Sequence, residues 1–243
     1  MDNRLKEIVE NFENMKIGLD EPFKFNCTQC GKCCINREDI LLTPKDLYNI
    51  AKELGLTPVE AFKQYCETYV GHDSRMPIVR LLPRGSIKRC PLLKDRKCSV
   101  HKVKPTVCAM FPIGRCITLD GNKPELDKLG TADIQYIFTR PGCGDDSQTH
   151  TVREWLSEFD ISAEDEFFVK WHTAIMEIGS IVKHAEKEFS DSTMETMWST
   201  IFAAMYINYD TDKDFISQFD ANYEGFMKVL GLIPIRNGGK NHA

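Results

Sequence analysis

Long apolar runs are missing from this chain of 243 residues. The longest, such as the one starting at Ile201, are far too short to cross a bilayer, so no spanning helix is expected. The amino end, MDNRLKEIVENFENM, is charged throughout and lacks the apolar core of a secretion signal. We therefore expect a cytoplasmic protein with no membrane partner. There is no Gly-rich phosphate loop, no His-Glu-x-x-His and no nucleophile elbow, which removes the usual signatures of P-loop, zincin and hydrolase chemistry. No internal repeat or low-complexity stretch is present. His72, His150, His172 and His184 are scattered and read as surface or packing residues, and Asp145-Asp146 reads as a pair of turn acids.

Cysteine is absent from the last hundred residues, yet the chain has ten, all between Cys27 and Cys143. A chain of this length with 42% hydrophobic residues can bury a core without disulfide staples. In a reducing compartment such a pattern indicates metal or redox chemistry. Charge is uneven too. Arg75 to Lys104 holds ten basic residues against the single acid Asp95, a local +9, which leaves −14 for the rest of a chain whose net charge is −5.

Periodicity places an amphipathic helix at 2–15, from Leu5, Ile8, Val9 and Phe12. Thr43-Pro44 and Thr57-Pro58, the latter with Glu60, open two short helices that Gly55 and Gly71 can stop. Residues 76–82 read as a strand, Pro83 to Ser86 as a turn, and Ile87 as the start of a return strand. Between Cys90 and Cys116 prolines at 91, 105 and 112 break any period. Metal ligation is one way to hold such a stretch. A hairpin around Asp120-Gly121-Asn122 is expected within 117–138. Helix starts follow at Thr151, Ser162 and Ser192, and a last helix covers about 212–231. The apolar stripes of 163–189 and 193–207, with Phe167, Trp171, Ile178, Met197 and Ile201, are helix core.

The first cysteine cluster is Cys27-Thr28-Gln29-Cys30-Gly31-Lys32-Cys33-Cys34. A Cys-x-x-Cys loop brings two thiolates to one metal, and Gly31 permits the positive φ of a metal knuckle. Cys-x2-Cys-x2-Cys with a distant Cys-Pro is the spacing of cubane ferredoxin loops, and Cys90-Pro91 is such a pair. Cys90, Cys98, Cys108, Cys116 and Cys143 follow, with His101 three residues after Cys98. One four-ligand centre would leave thiols over, so two centres, or other roles for the surplus, are both open. Cys66, among Phe62, Tyr65 and Tyr69 in the second short helix, reads as core.

The ordered series CTQCGKCC, CPLL, CSVHKVKPTVCAMFPIGRC and PGCGD resembles the YkgJ-type CxxCxxCC proteins, described as zinc- or iron-chelating and sometimes as iron–sulfur proteins. Leu42-Thr43-Pro44, Phe111-Pro112 and Thr151-Val152-Arg153-Glu154-Trp155 fall in the same order, and the likeness covers about residues 23–160. It implies as metal ligands Cys27, Cys30, Cys33, Cys34, Cys90, Cys98, Cys108 and Cys143. This chain departs from the pattern at His101, usually tyrosine, and at Lys104 and Ala109, usually arginines. Cys66 and Cys116 lie outside the pattern.

The Cys-x2-Cys-x2-Cys run favours an iron–sulfur cluster, whereas the Cys-Gly knuckle and Cys98-x-x-His101 favour Zn2+. We expect a [4Fe–4S] cluster, with zinc as the alternative. Four thiolates around either centre leave −2, which amides or cations must offset, and the basic segment is one source. A solvated basic face is the other reading, and nucleic acid is disfavoured because the chain is acidic overall.

Three function classes follow. The first is electron transfer, redox sensing or cluster-assisted chemistry, with a protein redox partner or protein substrate. The second is a structural zinc interaction protein. The third is a modifying enzyme, since flagellin lysine methylases carry a similar cysteine cluster, although no stretch clearly builds an S-adenosylmethionine pocket. The expected fold is α+β and mainly α: an irregular, cysteine-rich, metal-held lobe with a short β-hairpin, packed on helices and followed by a C-terminal helical section. The expected division is 1–22 N-terminal helix, 23–150 cysteine-cluster domain, 151–235 helical section and 236–243 mobile tail.

Overall fold

The computed structural model describes residues 10–36, 40–118 and 129–232. The strands are β1 (Pro22–Asn26), β2 (Leu41–Leu42), β3 (Cys66–Val70), β4 (Pro77–Leu81), β5 (Leu93–Lys94), β6 (Lys97–Cys98), β7 (Ile113–Ile117), β8 (Ile134–Phe138) and β9 (Asp145–Thr151). The helices are α1 (Pro44–Glu53), α2 (Pro58–Tyr65), α3 (Thr106–Met110), α4 (Val152–Ser157), α5 (Glu166–Ala185), α6 (Asp191–Phe202) and α7 (Phe215–Gly231). The fold is mixed α+β with small sheets. Two compact units alternate along the sequence: Met1–Leu42 with Arg80–Lys170, and Thr43–Val79 with Trp171–Ala243.

The first unit is built on two antiparallel pairs, β1–β9 and β7–β8. β1 alternates, with Phe23 and Phe25 inward and Lys24 between them. Their rings meet Trp155 of α4, at 6.1 Å for Phe23 and 5.5 Å edge-on for Phe25. Trp155 Nε1 donates to the Met110 carbonyl at 3.1 Å, which ties α4 to α3. Tyr136 of β8 donates its hydroxyl to Ala163 O at 2.6 Å. Around these lie Ile113, Ile134, Val152 and Leu156, all buried. Burying an aromatic or aliphatic side chain of this size is worth about 1.5–3 kcal/mol, so this cluster anchors the strand ends that carry the cysteines.

In the second unit, α1 and α2 both start with the expected Thr caps. Thr43 Oγ1 accepts from Asp46 N at 3.1 Å while Asp46 Oδ2 accepts from Thr43 N at 2.8 Å. Thr57 and Glu60 repeat the exchange. Tyr48, Tyr209, Phe215 and Phe219 stack beside Trp171 and Tyr206. Trp171, Ile178, Val182, Met194, Met197, Ile201 and Met205 are buried, as helix-core stripes should be, and Phe167 and Phe168 at the start of α5 are buried in the first unit.

Several local expectations change. α2 ends at Tyr65, and residues 66–70, expected as its last turn, form β3 instead, with Thr68 Oγ1 donating to Ile78 O at 3.1 Å. β-branched and aromatic residues suit that pairing. The return strand expected at Ile87 is reduced to one bridge, Arg84 with Arg89. α5 opens one turn later than Ser162: Asp165 Oδ1 accepts from Phe168 N at 3.1 Å. Ser190 rather than Ser192 caps α6. Residues 10–15 are helical, and residues 2–9 of the expected first helix lie outside the described residues. So do Asp120-Gly121-Asn122 and the tail 236–243; β7 and β8, within the described residues, pair antiparallel.

Candidate metal centre

All eight cysteines implied by the resemblance fall in the first unit, and long-range pairing explains why distant ones meet. β1 runs directly into Cys27, and β9 begins two residues after Cys143. The register Asn26↔Asp145 therefore sets Cys27 beside the Cys143-Gly144 turn. Asn26 Nδ2 reinforces it, donating to Asp145 Oδ1 at 3.3 Å and Ser147 Oγ at 3.1 Å. Gly144 has φ +74, and a Cβ there would stand 2.5 Å from Asn26 O and 2.6 Å from the Phe25 ring. Only glycine permits this approach.

Gly31 takes φ +73, the left-handed turn expected of a knuckle, and leads into a short 3-10 turn, Lys32–Cys34. Cys30 then accepts from the amide of Lys32, the Thr28 side chain and the Gly144 amide, and these donors lower its thiol pKa below the usual value. Cys143 has Cys30 as a hydrogen-bond partner and Cys33 and Cys27 nearby, but burial is the main reason its pKa rises.

The second group forms around Cys34. Its carbonyl accepts from Cys90 N at 2.8 Å, and its Sγ lies 4.0 Å from that of Cys33. The hydrogen bond with Cys33, then burial, then the charges of Cys33, Cys90 and Cys108 push its pKa strongly upward. Burial raises the pKa of Cys90 and of Cys98, opposed by the amides of Leu92 and Leu93 at Cys90 and of Val100 at Cys98. Cys98 reaches the site through the β5–β6 hairpin, paired with Leu93. The turn of that hairpin places Asp95 at φ 47 and Arg96 at φ 63, the signs of a type I′ turn built without glycine. Cys108 sits in α3, its amide bonded to Pro105 O at 2.7 Å.

The amides two residues ahead of Cys30, Cys90 and Cys98 each favour the charged sulfur, as donors around a bound thiolate do. A cavity of about 90 Å³ is lined by Cys27, Cys33, Cys34, Cys90, Cys98 and Cys108. His101, Arg96, Lys97 and Lys104 share its wall. Lys104 also stacks over Phe159, with Nζ 4.0 Å from the ring centroid. Burial and then Lys104 lower the His101 pKa, which favours the neutral imidazole. The basic segment thus contributes three cations to the cavity wall, while Arg75 is engaged elsewhere with Glu186. Among the described residues no three Cys, His, Asp or Glu side chains stand close enough to grip an ion as placed. The thiols are gathered without converging on one point. Even so, their chemistry suits a thiophilic metal: soft sulfur donors, amide hydrogen bonds and adjacent cations.

Two cysteines stand apart. Cys66 is buried at the start of β3 in the second unit, as a core residue. Cys116 lies on β7 opposite Gln135, and among charged groups only Lys16 acts on its pKa, which burial raises. The acids after Cys143 serve the turn: Asp145 accepts from Ser147, and Asp146 pairs with Arg140. Two contributors gave little signal in sequence. One is the Gly144 amide. The other is the Asp95-Arg96 turn, whose only hint was a charged pair between short apolar stretches.

These features define a cysteine-rich domain organised for metal chelation. Residues 26–130 match the CxxCxxCC family model, described as "Putative zinc- or iron-chelating domain". An uncharacterized protein of Methanocaldococcus jannaschii is 30% identical over 105 residues, which are 41% of this chain and 52% of that protein. The chain thus spans about half the length of that relative. No solved structure matches. Among the described residues no helix is long and apolar enough to cross a membrane.

Proposed function

We propose that this protein binds its metal as an iron–sulfur cluster, with [4Fe–4S] as the form, for electron transfer or redox sensing with a protein partner in the cytoplasm. Cys27, Cys30, Cys33, Cys34, Cys90, Cys98, Cys108 and Cys143 are the residues that would hold it. The observation that carries metal binding is the cavity lined by Cys27, Cys33, Cys34, Cys90, Cys98 and Cys108 with Arg96, Lys97 and Lys104 in its wall. Hydrogen bonds to sulfur and nearby positive charge are also the levers that set a cluster's potential. The cluster would supply one-electron redox capacity. The chain supplies ligands, N–H donors and the cations Arg96, Lys97 and Lys104.

Structural zinc is the second reading. A smaller void of about 20 Å³ is lined by Cys33, Cys34, Cys90 and Cys108 together with Ile40, Leu81, Pro83 and Pro91. That is room for one atom-sized guest, since a water needs about 10–15 Å³ by the same measure. His101 beside Cys98 adds a nitrogen donor. Anaerobic purification decides between them. Brown colour, a visible charge-transfer band and acid-labile sulfide support the cluster. A colourless protein with stoichiometric zinc supports the second reading and sinks the first.

A further inference from the structure

We infer that the exposed face beside the cysteine cavity is a docking surface for an acidic protein that carries an apolar patch of its own. The inference rests on the reading that this centre works with a protein partner, and it adds where that partner sits and what its surface brings.

Five large apolar side chains of the first unit are exposed among the described residues: Ile35, Leu41, Leu82, Ile87 and Val107. Four of them adjoin residues that line the small void. Ile35 follows Cys34, Leu41 follows Ile40, Leu82 stands between Leu81 and Pro83, and Val107 precedes Cys108. Val107 lines the larger cavity itself. Backbone bonds hold these segments side by side. Asn36 N donates to Ile87 O at 3.0 Å, and Leu81 N donates to Ile40 O at 3.0 Å. Arg84 and Arg89 exchange amide bonds at 2.7 and 2.9 Å, which closes the loop that carries Ile87. Among the described residues of β1, β7, β8, β9 and α4 no large apolar side chain is exposed. Apolar exposure in this unit is thus confined to the segments around the cysteines.

The same segments are basic. Arg84, Lys88, Arg89, Lys94, Arg96 and Lys97 are all exposed, and Asp95 is the single acid between Arg80 and Lys104. By contrast, 133–166 holds nine acids against Arg140 and Arg153. An apolar centre with a charged rim is the anatomy of a protein interface. A partner that covers this one must bring acid to the rim, and the segregated charge would steer it to the cysteine side. Two other occupants suit the face less well. Ile35, Leu41, Leu82 and Val107 are 39–44% exposed, so each is more than half covered and none stands out as a wedge for the acyl layer of a membrane. No phenylalanine, tyrosine or tryptophan is among the five apolar side chains, so a nucleic-acid base finds no ring there to stack on.

Fluorescence anisotropy on the full chain, purified anaerobically, tests this with a defined probe: a labelled helical peptide with one leucine face and one glutamate face. Wild type should bind it, and less tightly as salt rises. The same peptide with lysine for glutamate, or with serine for leucine, should bind about tenfold more weakly. The variant R89E/K94E should lose about tenfold in affinity, and Ile87→Ser about threefold. K187E/K228E, which reverses two charges of the second unit, should change nothing. Metal content and circular dichroism should stay at the wild-type level throughout, because none of these side chains lines the cavity. Equal binding by wild type and R89E/K94E overturns the inference. Tighter binding to vesicles of anionic lipid or to a single-stranded oligonucleotide also overturns it. So does a dimer in ultracentrifugation that R89E/K94E dissociates, which gives the face to a second copy. Metal content decides the functional reading separately: a chain that carries no metal overturns that reading whatever the peptide does.

Discussion

The amide of Cys90 donates to the carbonyl of Cys34 across 2.8 Å, so the backbone, and not only sulfur, joins the first cysteine cluster to the remote Cys-Pro. This bond fixes the Cys90 backbone beside Cys34. The variants below separate the roles of backbone geometry, charge and packing around the cysteines.

Gly144→Ala tests the close approach of β1 to the Cys143-Gly144 turn. The new Cβ would meet Asn26 O at 2.5 Å in a backbone at φ +74. Strain of this kind costs about 1–3 kcal/mol. Thermal denaturation should show the loss, together with reduced metal content. Gly142→Ala is the control, because nothing lies within 4 Å of its Cβ. Equal behaviour of the two variants would show that Gly144 is not a constraint.

Neutralising the cavity cations tests their purpose. With Arg96, Lys97 and Lys104 replaced by methionine, the negative centre loses its nearest positive charges. Metal retention under chelator challenge should fall, and the change should shrink at high salt. Unchanged retention would assign these cations to a docking partner instead.

Arg115 and Asp165 test the core beneath the site. Arg115 Nη1 lies 2.8 Å from Asp165 Oδ2, both largely buried, and its guanidinium covers Phe168 at 3.9 Å. Arg115→Ala leaves a carboxylate in poor company at about 3 kcal/mol, the low end for a broken buried pair. Urea denaturation should register it. In the double variant with Asp165→Asn the cost should be less than the sum of the two single changes.

Thr43→Ala removes a donor to Asp46, the one buried charged side chain among the described residues. A loss of about 1–2 kcal/mol is expected. Thr57→Ala, whose partner Glu60 faces solvent, should cost less. Melting curves of the two variants give the ranking.

Acid should weaken the fold from a stated point. Backbone amides at the helix starts hold the carboxyls of Glu60 and Glu154 below their ordinary value of 4.5, and Asp214 is likewise lowered by the Ser217 amide. Groups depressed in the folded state stabilise it fully above their ordinary value. That contribution fades as pH falls through the folded one. Melting temperature should thus ease as pH falls below 6.5, where His101 is more readily protonated in the unfolded chain, and drop further below 4.5 as these carboxyls protonate. Glu154→Gln should flatten part of that slope; an unaltered slope would remove Glu154 from the explanation.

What could be read in advance was local. The Thr43, Thr57 and Thr151 caps rest on chemistry three residues long, and each formed as expected. The helix-core stripes did too, because their period is intrinsic. Pairing across more than a hundred residues left weaker marks. Phe23-Lys24-Phe25 alternates, but β9, DDSQTHT, is polar and mostly exposed, so nothing in it announced a strand. Residues 66–70 followed the apolar spacing of α2 and yet became β3. The cysteines were conspicuous by type and spacing. How the fold gathers them was hidden, because it depends on the β1–β9 register and on one backbone bond to Cys34.

The alternation of the two units along the chain has a consequence for how the molecule is made. Synthesis delivers Cys27 to Cys34 first, then the α1–α2 segment of the other unit, then the remaining ligands. The first cluster must wait on the ribosome until Cys143 emerges. The α1–α2 segment waits longer still, for the helices that follow Lys170. The shortest fragment that holds the first unit whole, 1–170, also carries 43–79, so a truncation that appears to spare the cysteines would leave half of the second unit without its other half.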